Sequence, residues 1–299
     1  ALRQVVARHD ILRTSLVWTD VPEPLQVVHR AAALPLEELP ALPPTADAMA
    51  ALQAAVNPRQ HRLDLRHAPL LRAVAVADAD ADAPQGRWLL ALVVHHLALD
   101  HTSVGLLMHE VRAVLQGQGA ALPEPVPYRQ LVAQARQAQD ETGPAGRASH
   151  HFFSQMLADV DSPTAPYGLA SLPGEDVVLA DARHTLPPAL AGQARELARR
   201  SGVSLASLLH LAWGLVLARC SGRDTGVVFG TVLLGRLSGA LASVPGAERA
   251  LGMLINTLPL RVDVGALAVG EALQATHTRL AELMRHEHTP LALAQRCSG

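Results

Sequence analysis

The hydrophobic pattern alternates between short apolar runs and segments with helical spacing. Residues 88–94 form an unbroken apolar run, with the length and branched content expected of a strand buried on both faces. In residues 102–116 the apolar side chains recur every three or four positions, as in an amphipathic helix: Val104, Leu107, Met108, Val111 and Leu115. The pattern therefore predicts a strand, a short polar turn and a helix. Such a turn places polar side chains on a rigid scaffold, where a reacting group can reach them.

The same alternation extends along the chain. It predicts helices over residues 1–9, 47–56, 128–139, 146–160, 188–200, 204–219 and 270–288. It predicts a hairpin from 11–18 and 25–29 and further strands at 70–76, 177–185, 226–234 and 254–262. Periodicity breaks over the proline-containing stretch 163–173. The predicted fold class is α/β, in two lobes spanning residues 1–162 and 174–299.

Composition excludes several function classes. The net charge of −2 is spread without long runs, so neither a nucleic acid nor a membrane surface is a predicted partner. Cys220 and Cys297 are far apart and predict neither a disulfide framework nor a thiolate metal site. Two isolated cysteines fit a reducing cytoplasm, and with no apolar run of about 18 residues we expect a soluble protein. Because the chain opens inside a helix with no cap before it, we expect a fragment.

The polar turn at 95–101 carries the candidate chemistry. Successive strand residues point to opposite faces, so only one of His95 and His96 can face a given cavity. A zinc hydrolase motif, HxHxDH, is the competing interpretation, but Ala98 stands where its middle histidine is required, so no metal is expected. The run 286–288, His-Glu-His, is interpreted as a solvated helix end. No GxSxG nucleophile motif is present.

Four motifs carry a family resemblance. Residues 95–100, His-His-Leu-Ala-Leu-Asp, resemble the HHxxxDG signature of condensation domains of nonribosomal peptide synthetases, with His101 where the family has Gly. Residues 8–14, Arg-His-Asp-Ile-Leu-Arg-Thr, resemble its RHxxLRT motif. Residues 229–231, Phe-Gly-Thr, and 252–262, which contain Asn-Thr-Leu-Pro-Leu-Arg-Val, are similar to its later FGT and GxxxNTLPLRV motifs.

The resemblance implies two chloramphenicol acetyltransferase-like lobes, set as a V with an active-site tunnel between them. It implies that His96 is the catalytic imidazole and that His95 is structural. It also implies that Asp100 is a folding residue paired with Arg13.

Three further positions complete the expected site. His101 departs from the family pattern and leaves two interpretations open, a subgroup whose acceptor pocket uses this imidazole or a domain with weakened activity. Ser103 is expected at the substrate unless it only caps the helix. Asn256 is expected to bind the acceptor or its pantetheine arm, with a turn residue as the alternative.

The resemblance implies a fragment of a bacterial multimodular synthetase that forms an amide between a donor thioester and an acceptor aminoacyl thioester. It implies no cofactor bound by the chain itself, since both substrates arrive on the phosphopantetheine arms of carrier domains. Upstream and downstream carrier domains and an adjacent adenylation domain are the expected partners. Two alternatives stay open: an epimerization domain of the same superfamily, and an inactive platform that binds carriers. A heterocyclization domain is disfavoured, because that class replaces the motif histidines by Asp.

Overall fold

Most of the elements predicted from the hydrophobic pattern are present. The computed structural model describes residues 1–43, 45–78, 86–169, 180–236, 238–265 and 267–299. Its helices are α1 (Leu2–Arg8), α2 (Ala48–Ala55), α3 (His101–Leu115), α4 (Tyr128–Gln139), α5 (Pro144–Leu157), α6 (Pro188–Arg200), α7 (Leu205–Ser221), α8 (Val269–Arg285) and α9 (Leu291–Arg296). Its strands are β1 (Thr14–Val17), β2 (Leu25–Val28), β3 (Leu36–Glu38), β4 (Leu71–Asp78), β5 (Arg87–Val94), β6 (Gly226–Leu233) and β7 (Asn256–Asp263).

The chain divides into two compact units. Unit 1 comprises residues 1–134 and 242–254, and unit 2 comprises residues 135–241 and 255–299. The predicted lobes, 1–162 and 174–299, differ from these units in two places. Helix α5 belongs to unit 2, because Phe153 and Leu157 are buried in its core. Residues 242–254 belong to unit 1; the backbone of Gly252 and Leu254 donates to the side chains of Ser103 and Asp100 at the start of α3.

Unit 1 is built on the sheet β3-β4-β5, in which β3 runs parallel and β5 antiparallel to β4. Leu52 of α2 packs on Val74 and Val76, which are fully buried. The predicted hairpin is confirmed as β1-β2, with Thr14 opposite Val28. The antiparallel register sets Leu71 opposite Val94, so β5 ends beside the buried start of β4. The turn that follows β5 is therefore anchored on the sheet.

The prediction that β5 is buried on both faces is wrong. Leu89 and Ala91 face α2, whereas Trp88 and Leu90 on the opposite face are 53% and 54% exposed. Among the described residues, β5 pairs with β4 alone. The apolar run thus identified the strand correctly, but half of the surface of Trp88 and Leu90 on its second face is exposed.

Unit 2 packs helices on the antiparallel pair β6-β7, in which Gly226 lies opposite Asp263. Its core includes the fully buried side chains of Leu258, Leu260, Val262 and Leu283. Helix α7 lies so close to β7 that a Cβ on Gly214 would be 2.8 Å from Val262 Cγ1. This close approach explains a glycine in the middle of a helix, where it costs about 1 kcal/mol relative to alanine.

One predicted strand is not observed. Of residues 177–185, the first three lie outside the described residues, and 180–185 have no regular secondary structure. Within the described residues, no helix alone has the length and apolar composition to cross a membrane; α6 and α7 pass that test only as a pair, bent by 110° at their junction.

Candidate active site

A tight turn links β5 to α3 and holds both adjacent histidines. The backbone N–H of His95 donates to Leu70 O at 2.9 Å, continuing the pairing with the β4 side of the sheet. The His95 carbonyl accepts from Ala98 N at 2.9 Å, and its Nδ1 accepts from Leu97 N at 3.1 Å. All of these bonds are to the backbone. His95 is half-buried and holds the turn in shape.

The neighbouring imidazole, His96, is exposed. Its Nδ1 lies 2.9 Å from the carbonyl oxygen of Leu99. Because a carbonyl oxygen only accepts, Nδ1 carries the hydrogen of this bond. In the neutral ring the lone pair is therefore on Nε2, which has no hydrogen-bond partner among the described residues. The turn thus fixes one tautomer and presents a basic nitrogen to the exterior of unit 1.

Asp100 is the buried anchor of the turn. Its side chain is 1% exposed and caps α3, because Oδ1 accepts from Ser103 N at 2.8 Å. The other oxygen, Oδ2, accepts from Leu254 N at 3.1 Å. The backbone N–H of Asp100 donates to Gly252 O at 3.3 Å. One carboxylate thereby ties the start of α3 to a segment about 150 residues later.

The expected ion pair between Asp100 and Arg13 is wrong. Within the described residues of unit 1, no salt bridge joins them; Arg13 instead donates through Nη1 to the carbonyl oxygen of His29. The Nε of Arg13 is buried without a hydrogen-bond partner. The physical reason is that the Asp100 carboxylate is oriented toward backbone N–H groups, while Arg13, at the end of a 3-10 turn, is directed to the end of β2.

The side chain of Ser103 bonds to the backbone of a distant segment. It is fully buried, and Oγ both donates to Gly252 O at 2.8 Å and accepts from Gly252 N at 2.9 Å. Its expected substrate contact stays a prediction. Ser103 clamps residues 252–254 to the first turn of α3.

Tyr128 supports the same clamp and was not found from the sequence. Its ring lies against Gly252, where a Cβ would be 2.1 Å from Tyr128 Cε2, and its hydroxyl donates to Met253 O at 3.1 Å. The Tyr128 N–H donates to Asp10 Oδ1 at 2.9 Å. The glycine of the GxxxN motif was the available signal, since a required glycine implies a close neighbour.

His101 is the first residue of α3, and its imidazole is exposed. It makes no side-chain hydrogen bond among the described residues. The residue that stands where the resemblance expects Gly is therefore accommodated in a helical position, with its side chain free for solvent or ligand. Its expected role at the acceptor stays a prediction.

In unit 2, Asn256 holds a turn through its side chain. Its Nδ2 donates to Glu287 O and to Thr289 O, each at 2.8 Å, and its Oδ1 accepts from Thr257 N at 2.9 Å. Both amide hydrogens are used by backbone carbonyls, as in the turn-residue alternative, and the expected substrate-binding role stays a prediction.

The prediction of a solvated helix end at 286–288 is wrong. Glu287 is 2% exposed, and its Oε2 accepts from Gly235 N at 3.1 Å. His286 stacks on Phe152 with ring centroids 4.6 Å apart. Burial lowers the pKa of His286, and burial likewise lowers the pKa of His288 against the opposing effect of Glu287. Three consecutive polar residues suggested a solvated helix end, but the hydrogen bonds from Asn256 hold this segment in unit 2.

The described residues include no cluster of three or more His, Cys, Asp and Glu side chains that could hold a metal ion. In the zinc interpretation Asp100 would be a ligand. Its two oxygens instead accept backbone N–H bonds, which leaves that carboxylate poorly placed for a metal.

Comparison with known proteins agrees with the motif pattern. The family model described as Condensation domain matches residues 1–298. Malpinin synthetase of Mortierella alpina is 45% identical over 297 residues, which is 99% of this chain and 4% of that protein. Chondramide synthase of Chondromyces crocatus is 30% identical over 303 residues, 100% of this chain and 7% of that protein. The chain thus spans only a small part of the length of these relatives. The expected bacterial source is not supported, because the former relative is fungal.

Two solved structures share the fold. The first condensation domain of the calcium-dependent antibiotic synthetase, in complex with substrate analogue 2a, matches with a TM-score of 0.73 and 20% identity, over 100% of this chain and 67% of that one. The epimerization domain from the third module of tyrocidine synthetase B matches with a TM-score of 0.74 and 19% identity, over 100% and 67%. These likenesses establish the fold and do not distinguish the two reactions.

Proposed function

Because the chain belongs to the condensation-domain family of nonribosomal peptide synthetases, we propose that it joins a donor acyl or peptidyl thioester to the amine of an acceptor aminoacyl thioester. The acceptor nitrogen forms a bond to the donor carbonyl carbon, and the carbon–sulfur bond breaks. The proton of the amine ends on the released thiol. A thioester is already activated, so holding the two reactants together supplies roughly 7–11 kcal/mol of the barrier reduction.

The observation that carries this proposal is the tautomer of His96. With Nδ1–H given to Leu99 O, the neutral ring offers Nε2 as an acceptor and cannot donate from it. This favours a general base, which takes the proton as the new bond forms and returns it to the leaving sulfur. It argues against a neutral imidazole that donates a hydrogen bond to the tetrahedral oxyanion.

The neighbours of His96 act as scaffold in this proposal. His95 shapes the turn through three backbone bonds, and Asp100 caps α3. A base held by backbone bonds loses little orientational freedom during the reaction, which is the advantage of preorganisation. His101, exposed at the start of α3, lines the acceptor side in this proposal.

The substrates arrive on the phosphopantetheine arms of two carrier domains, one for the donor and one for the acceptor, and the chain itself holds no cofactor. An adenylation domain in the same synthetase loads the acceptor. Support comes from the multidomain setting of a fold relative, a four-domain nonribosomal peptide synthetase.

The test is a condensation assay with one carrier domain loaded with a donor acyl group and a second loaded with an aminoacyl group. The proposal expects amide product on the acceptor carrier, lost in His96→Ala and retained in His109→Ala, an exposed imidazole on the same stretch of chain. A His101→Gly variant should change acceptor preference. Unchanged preference contradicts its assigned place.

Two other outcomes identify the alternatives. Exchange of the substrate α-hydrogen with deuterated solvent, without amide formation, would show an epimerization domain. Carrier binding with neither amide formation nor exchange would show an inactive platform. Either result contradicts the proposed condensation.

A further inference from the structure

A second cavity lies in unit 1, lined by side chains that the proposed reaction does not use. It has a volume of about 400 Å³ and is formed by the end of α1, the 3-10 turn after it, the end of β2, residues 124–127 and the first turn of α4. That volume is within the usual range for small-molecule sites, about 300–1,000 Å³. Arginine dominates its lining: Arg8, Arg13, Arg30 and Arg129.

These guanidinium groups differ in how many hydrogen bonds they already make within the protein. Arg8 donates to Glu110 Oε2 at 3.1 Å and to Pro123 O at 2.8 Å. Arg30 and Arg129 are exposed, and neither side chain has an ion pair or hydrogen bond among the described residues. The cavity therefore presents two unengaged cationic forks that come from different segments of the chain.

Arg13 adds a third guanidinium to the lining. Its Nη1 is used by the His29 carbonyl, and its Nε is buried without a partner. Because the buried Nε is closed to a ligand, Arg13 contributes its positive charge to the cavity and not this donor.

The carboxylates of the cavity do not cancel these charges. Asp10 accepts three backbone N–H bonds, from Ile11, Tyr128 and Arg129, and so is stabilised by peptide dipoles rather than by an arginine. Glu124 is exposed, with no partner for its carboxylate among the described residues. The negative charge of Glu124 repels an incoming anion, but its carboxylate forms no ion pair with Arg30 or Arg129 among the described residues.

We propose that this cavity binds the phosphate group of a small molecule. Positive charge arrives from three segments, at Arg13, Arg30 and Arg129. A tetrahedral phosphate offers enough oxygens to engage several guanidinium groups at once, whereas a carboxylate is matched by a single planar fork. This proposal does not depend on the proposed condensation reaction, because a binding measurement tests it.

The test is calorimetric titration of the whole chain with inorganic phosphate and with phenyl phosphate, at constant ionic strength set by sodium chloride. Acetate serves as the carboxylate probe. Saturable binding by either phosphate probe supports the proposal, and the stronger of the two distinguishes free phosphate from an ester. No saturable binding of either, or binding of acetate as strong as that of phosphate, overturns it.

Charge variants test which side chains contribute to phosphate binding. Arg30→Gln and Arg129→Gln should each raise the Kd for phosphate about two- to fivefold, as expected for loss of one exposed charge contact. Glu124→Gln should lower it. Arg195→Gln, an exposed arginine of unit 2, is the matched control and should leave it unchanged. Equal Kd values for Arg30→Gln, Arg129→Gln and the parent chain overturn the assignment.

Discussion

The carboxylate of Asp100 accepts a hydrogen bond from the backbone N–H of Leu254, a residue 154 positions later in the chain. The same carboxylate caps α3 through Ser103 N. A single buried side chain therefore joins a local feature, the start of a helix, to a distant one, the segment 252–254. This relationship explains why the motif needs an acidic residue that does not contact substrate in the proposed mechanism.

Replacing Asp100 by Ala should destabilise the chain by about 2–4 kcal/mol, the sum of a lost helix cap and an unsatisfied buried N–H. Denaturant unfolding measures the change. The matched control is Asp47→Ala, which removes an exposed cap of α2 with bonds to Met49 N and Ala50 N and should cost only about 1 kcal/mol. Equal losses in the two variants would show that the Leu254 bond contributes nothing.

Gly252→Ala should destabilise unit 1, because the new Cβ would be 2.1 Å from Tyr128 Cε2. Overpacking of this kind costs about 1–3 kcal/mol. The double variant Gly252→Ala/Tyr128→Ala should lose less than the sum of the two single changes, since the clash is removed with the ring. Gly270→Ala, with no atom within 4 Å of its added Cβ, is the control and should be neutral in the same unfolding measurement.

Asn256→Asp should lower stability by roughly 2–4 kcal/mol, because a carboxylate replaces two donors that face the carbonyls of Glu287 and Thr289. The other asparagine of the chain supplies the control. Asn57 uses only its oxygen, which accepts from Arg59 N, so Asn57→Asp keeps that bond. Similar unfolding midpoints for the two variants would contradict the structural role assigned to Asn256.

Stability should fall as the pH drops below about 6.5. Burial lowers the pKa of both His286 and His288, so the unfolded chain binds protons more readily than the folded one. Their contribution is complete above the ordinary histidine pKa and is lost as pH falls toward the lowered folded values. Unfolding free energies at pH 7.5 and 5.0 measure it, and His286→Gln/His288→Gln should reduce the difference. A difference as large in the double variant as in the parent would assign it to other groups.

Helices and strands could be predicted from the sequence because the hydrophobic spacing that predicts each one lies within a single short segment. The spacing of apolar side chains located α3, and the helix predicted over residues 47–56 is observed as α2, with Asp47 as its cap. Strand β3 has three residues and α9 has six, too few for a period to show. Both were therefore missed.

The partners of the polar side chains could not be predicted in the same way. Arg13, Asp100 and Asn256 were each identified as important, but the sequence does not show which distant backbone group lies opposite a side chain. The guanidinium of Arg13 was expected to meet the Asp100 carboxylate but donates to the carbonyl oxygen of His29, and that carboxylate accepts from the N–H of Leu254. Tyr128 was missed because its contact with Gly252 joins residues that share no local pattern.

In the proposed mechanism His96 supplies a base from a turn that folds without it. The most direct measurement compares the single-turnover rate of amide formation and the free energy of unfolding in the parent chain and in His96→Ala. We expect a rate lower by about 10²–10⁴-fold with the unfolding free energy unchanged within about 0.5 kcal/mol, since the exposed ring makes a single hydrogen bond. An unchanged rate, or a loss of stability that accounts for the loss of rate, would contradict it.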